Sequence, residues 1–166
     1  MRLTDIIPSE KWMELEKKVH EKSGLDSNVF DTNGYRITEY KQWANRLCPV
    51  VKDSDKGQSF ICAVAHMNIA AIAMNTREPV IEECDAGLVK LVVPIYYNDE
   101  FVGALGACGL LLDDGEVDLF MVNKTIGLDE SKIETLSNDI KNVTTEELES
   151  LADYIKSEIN TLLSGK

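Results

Sequence analysis

From Cys62 to Met74 the chain reads Cys-Ala-Val-Ala-His-Met-Asn-Ile-Ala-Ala-Ile-Ala-Met, within a helix expected over 56–75. The run is apolar nearly all round, and a helix without a polar face has to be covered, which predicts burial against a sheet. The sheet follows in the chain. Residues 80–83 and 88–97 read as strands, the second rich in β-branched side chains, and Asn98-Asp99-Glu100 is a short turn into a further strand over 101–112. That strand holds Gly103, Ala104, Gly106, Ala107, Cys108 and Gly109. Each glycine weakens a strand interior, so the row predicts a close approach to the backbone by a helix or a bound ligand.

The flanks complete one domain. Pro8-Ser9-Glu10 opens a helix over 8–23, with Trp12, Leu15, Glu16 and Val19 at helical spacing and Ser23-Gly24 as its stop. Residues 25–30 alternate, Asp31-Thr32-Asn33-Gly34 signals a turn, and Tyr35-Arg36-Ile37-Thr38 answers it, which predicts a β-hairpin. Helices are expected over 40–51, 116–122 and 129–140. Thr144 and Glu147 have capping-box spacing for a final helix over 144–163. Its stripe of Leu148, Leu151, Ile155, Ile159 and Leu162 suits packing on the domain's own core or pairing between subunits. No repeat or linker interrupts the chain, so 1–166 reads as a single α+β domain.

Charge narrows the function classes. The 166 residues hold 17 basic and 29 acidic side chains, a net charge of −12, and residues 113–166 alone carry 13 acids against 5 lysines. A nucleic-acid reader needs a basic face, so direct binding of DNA or RNA is not expected. The acidic end reads as a solvated surface or as a docking face for a basic partner. No run reaches the ~18 apolar residues of a membrane helix, and the start of the chain has no signal-peptide pattern. A cytoplasmic, reducing location without membrane attachment is the expectation, and there four cysteines are thiols or ligands before they are disulfides.

Enzyme signatures are missing. There is no Gly-x-Gly-x-x-Gly after a strand, no phosphate-cradling Gly-x-x-x-x-Gly-Lys-Ser/Thr and no Gly-x-Ser-x-Gly elbow. His20 lies in a charged helix, whereas His66 reads either as a hydrogen-bonded core histidine or as a pocket residue. The sharpest feature is the set Cys48, Cys62, Cys84 and Cys108, with no Cys-x-x-Cys among them. Wide spacing does not resemble a compact zinc motif, and free cysteines are often simply buried. Their placement says more: one falls on the short helix, one on the apolar helix, one at a strand end and one in the small-residue strand. A helix over a sheet can bring all four to one pocket, where thiolates would suit an iron–sulfur cluster or zinc.

Leu47-Cys48, Cys62, Glu83-Cys84-Asp85-Ala86-Gly87-Leu88, Pro94-Ile95 and Phe101-Val102-Gly103-Ala104-Leu105-Gly106 together resemble the PocR-type sensory domain family, over roughly 25–140. The resemblance implies a PAS/GAF-like antiparallel sheet flanked by helices, a non-catalytic input module, and Cys48, Cys62 and Cys84 along its sensory pocket. Asp85 stands where the family commonly has His, and Ala107-Cys108-Gly109 replaces its usual Gly-Gln, which supplies a fourth thiol. The resulting expectation is a stand-alone sensor whose metal or cofactor ligands are Cys48, Cys62, Cys84 and Cys108. His66, Asp85, Gly87 and Gly109 are expected beside them in the ligand pocket. The centre would be an iron–sulfur cluster or zinc, or else a small organic ligand would fill the cavity. The implied partner is a kinase, chemoreceptor or transcription regulator, and the expected assembly is a homodimer through terminal helices. Two other readings stay open. One is a thiol redox protein using Cys84 or Cys108, for which Arg77, Lys90 and His66 are the nearby activating groups. The other is an acidic interaction protein whose cysteines only pack.

Overall fold

A computed structural model describes all 166 residues. Four strands form an antiparallel sheet in the order β1-β4-β3-β2: β1 (Asp26–Phe30), β2 (Val80–Glu83), β3 (Val89–Tyr97) and β4 (Glu100–Cys108). The architecture is the expected α+β one. β3 and β4 are joined through Asn98 and Asp99, both at positive φ, as a tight hairpin requires.

One face of the sheet carries the larger core. There α1 (Leu3–Ile6), α2 (Ser9–Ser23) and α8 (Thr145–Leu163) cover the inward residues of β1, β3 and β4, in a cluster that includes Trp12, Leu15, Leu91, Val93, Leu105 and Ile155. The stripe of α8 is used inside the domain: Leu148, Leu151, Ile155 and Ile159 are all buried. Thr144 accepts a hydrogen bond from the Glu147 amide at 3.1 Å, which starts that helix.

The other face is covered by a continuous 22-residue helix, built of α4 (Asp55–Gly57), a π-helical turn (Gln58–Ala63) and α5 (Val64–Thr76). Beside it lie α3 (Leu47–Asp53), α6 (Leu119–Ile126) and α7 (Glu130–Ser137), which share a smaller core with Leu88 and Ile61. Two short strands, β5 (Leu111–Leu112) and β6 (Asn142–Val143), pair in parallel and hold the closing segment in place.

Three expectations are corrected here. The hairpin over 25–38 is reduced to a turn and one bridge, Phe30 with Arg36, because β1 takes its ladder from β4 and Thr38 turns inward to Glu16. The apolar helix is not buried all round. His66, Ile69 and Ala73 face the sheet and Ile61 the smaller core, but Phe60, Val64, Met67, Ile72 and Met74 are exposed, since only one layer covers a helix on a sheet's outer face. By length and composition that helix does meet the criteria for a membrane span, although its inner side packs on the sheet as a core helix does. The close approach foreseen along β4 is present. A Cβ on Gly103 would lie 2.4 Å from the Phe30 carbonyl oxygen and 2.6 Å from the side chain of Leu3.

Candidate functional site

The sheet register fixes the floor of the site. Asp26, Cys108 and Lys90 are direct partners across β1, β4 and β3, so their side chains rise from the same face in one row. Two residues along, Phe30 extends over Gly106, and a Cβ there would come within 3.1 Å of its ring and 3.6 Å of the Lys90 ammonium. The glycine makes room for the ring, while the ammonium would be at ordinary contact distance.

Above this floor the helical layer does not close completely. It leaves a cavity of about 360 Å³, lined by α3, the π turn, the start of α5, the β2–β3 turn and the loop around Gly34. That volume is in the range of small-molecule sites. Cys48, Cys62, Cys84 and Cys108 all line it, with His66 and Gly109. Asp85 and Gly87 do not. They sit in the turn between β2 and β3, where Gly87 has φ +85° and a Cβ would meet the Glu116 carbonyl oxygen at 2.3 Å. At Gly87 the turn packs against the chain before α6, and Asp85 is exposed, so neither is among the residues that line the cavity.

Local bonding explains how the thiols are held. Asn45 accepts from the Cys48 amide at 2.7 Å, starting α3, and its own amide donates to the Gly109 carbonyl at 2.6 Å and to the Cys48 sulfur at 3.2 Å. One side chain thus ties the helix bearing Cys48 to the end of the strand bearing Cys108. Burial pushes the Cys48, Cys62 and Cys84 thiols above their ordinary range, and the neighbouring thiols add to this at Cys48 and Cys84. At neutral pH these three are protonated, and so poor nucleophiles.

The fit of a metal or iron–sulfur centre depends on convergence. No three His, Cys, Asp or Glu side chains come together as a ligating group. The four sulfurs belong to four separate elements around one cavity, so they share a space without forming a preassembled centre. The residues in this arrangement do not fit a compact cluster.

The remaining polar groups are cationic or aromatic. Lys90 is 7% exposed, and its ammonium makes no ion pair or hydrogen bond; it lies 5.3 Å from the centroid of the Phe30 ring. Lys52, on α3, also lines the cavity without an anionic partner, and burial followed by repulsion from Lys41 lowers its pKa. Asp26 is the one acid in the lining, and it is ion-paired to Lys41. His66 stacks on Phe30 with centroids 3.8 Å apart. Its Nδ1, the Gln58 Oε1 and the Asp26 Oδ1 are buried without partners.

Burial first, then Lys90 and Lys52, lower the His66 pKa from 6.5 to about 3, so the folded ring is neutral where the unfolded one is charged. Its contribution to stability is complete above pH 6.5 and is lost as pH falls from there towards 3. We expect His66→Phe to remove on the order of 3 kcal/mol of the stability lost across that window. Denaturant melts at pH 7 and pH 4 check this, and equal losses in both proteins would refute it.

Sequence reasoning did not single out Asn45, Lys52, Phe30 or Gln58 as site residues, and weighed Lys90 only as a neighbour of a thiolate. The available signals were Asn45 three residues before Cys48, an N-cap spacing, and Lys90 as the lone charge inside Val89-Lys90-Leu91-Val92-Val93.

Comparison with known proteins comes down to one finding. The family model described as the sensory domain found in PocR matches residues 5–166. The match extends past the 25–140 core to both flanking helices. No curated protein and no solved structure matches the chain.

Proposed function

Because the chain belongs to the PocR sensory-domain family, we propose that it holds a small organic molecule in the thiol-lined cavity and signals its presence to a partner protein without catalysing a reaction. The observation that carries this reading is the cavity itself. It is mostly apolar in lining, has a few polar groups aimed from several elements, and lies between a rigid sheet and a helix with an irregular turn. π-helical turns concentrate at functional sites. This one sends Gln58, Ile61 and Cys62 into the cavity and leaves Phe60 on the outer surface. A ligand that favours one arrangement of those six residues changes what a partner meets outside.

The proposed setting is the cytoplasm, with a kinase, chemoreceptor or transcription regulator as partner. A homodimer belongs to the proposal, but not through the terminal helix, whose apolar stripe is already spent on the domain's own core. The outer side of α5 is the better face. From Gly57 to Thr76 there is no Asp, Glu, Lys or Arg, so two copies with a net charge of −12 repel least there.

A second reading, an iron–sulfur or zinc centre, is favoured by one observation: all four cysteines open onto the same cavity. It requires the π turn to move so that sulfurs converge. Native mass spectrometry of protein purified without air separates the readings. An added mass of organic size on a dimer is the expected result. Added mass of iron and sulfide with a brown colour, or of zinc, supports the second reading instead. A bare protein that no small molecule shifts would leave the interaction-protein reading.

A further inference from the structure

The cavity carries an unbalanced charge. A buried ammonium is ordinarily paired, since desolvation of an isolated charge is costly. Lys90 is 7% exposed, rises from the central strands into the cavity, and has no acid or hydrogen-bond acceptor in contact. Lys52 enters from α3, likewise unpaired. The lining's one carboxylate, Asp26, is occupied by Lys41. The thiols do not supply the missing charge, because burial keeps Cys48, Cys62 and Cys84 protonated. The His66 ring is neutral as well. Two cations therefore line a mostly apolar chamber with no carboxylate paired to either of them.

We propose that the ligand is a small organic carboxylate, its charge received by Lys90 and Lys52 and its apolar body lying along the thiols, Ile61 and Leu88. This inference rests on the ligand-binding reading above and specifies the chemical class. The lining explains why an apolar body is needed: most of its residues are hydrophobic, so a small hydrated anion would leave them uncovered. Gly106 has a part in it too, because a Cβ there would press on the Phe30 ring at 3.1 Å, beside the Lys90 ammonium.

Matched pairs test the proposal by calorimetry on the full chain: hexanoate against hexanamide, benzoate against benzamide, with hexylamine and inorganic phosphate as controls. Each carboxylate is expected to bind at least tenfold more tightly than its amide, and hexylamine and phosphate more weakly than either carboxylate. Lys90→Met should abolish the preference while leaving the amides' affinity within about threefold, and Lys52→Met should reduce it. Folding of Lys90→Met is read from its melt, which should be no lower than that of the natural protein, because an unpaired buried charge has gone. Amides binding as tightly as carboxylates would overturn the carboxylate inference and keep the ligand-binding reading. Phosphate binding as tightly as hexanoate would also overturn it, in favour of an inorganic anion site. If no compound of either series binds, both the inference and the ligand-binding reading fall.

Discussion

Trp12→Ala is expected to lower stability by about 3–5 kcal/mol, a large share of what a domain has to lose. Trp12 is completely buried in the cluster between α2, α8 and the sheet, and its indole N–H donates to the Leu3 carbonyl at 3.3 Å. Removing the ring leaves a cavity in the larger core and takes from the Leu3 carbonyl one of its two hydrogen bonds, the other coming from the Ile7 amide. For a chain of this length the melting temperature should fall by roughly 10 °C. Trp12→Phe keeps most of the ring volume and should cost less than half as much. A melt of Trp12→Ala within two degrees of the natural protein would refute the assignment of this residue as the keystone of that layer.

The second large effect is at Glu16, which is fully buried on α2. Its carboxylate accepts from the Val29 amide at 2.7 Å and from the Thr38 hydroxyl at 2.5 Å. β1 is an edge strand, and Glu16 satisfies an amide that the sheet leaves open. Burial raises the Glu16 pKa, and the two hydrogen bonds partly offset that rise. A carboxyl whose folded pKa lies above its unfolded one gives its full stabilisation in acid, below the unfolded value, and loses it as pH rises through the folded value. Glu16→Ala removes both acceptors at every pH, for an expected loss of about 3 kcal/mol. Glu16→Gln can still accept from Val29 and can donate to Thr38 in place of accepting. It should match the natural protein in acid and exceed it at neutral pH. Denaturant melts at pH 4 and pH 7.5 decide, and a Gln variant weaker than the natural protein at pH 7.5 would contradict this account.

Glu16 also shows where sequence reading stopped. Its position on α2 was legible as helical, but nothing in the local pattern says that a charged residue turns inward to cap a strand thirteen positions away. Cys48, Cys62, Cys84 and Cys108 illustrate the opposite case. Placed on a helix over a sheet, they were expected at one pocket, and all four line one cavity, though no three of them gather as metal ligands. Asp85 and Gly87, in the element that carries the family resemblance, were expected in that pocket, yet the turn that holds them leaves Asp85 exposed and packs Gly87 against the chain before α6.

Periodicity and turn chemistry, which act over a few residues, were enough to establish the α+β class, the strands within 80–112 and the capped final helix, and the family likeness rested on short motifs in a fixed order. Side-chain direction across elements was not, because it depends on register and layer order, set by contacts between residues far apart in the chain. The row Asp26–Cys108–Lys90 spans three strands from distant positions, and the lack of a partner for Lys90 emerges only once they are aligned. The exposed side of α5 has the same origin: an apolar run asks for cover, but how many layers reach it depends on the whole fold.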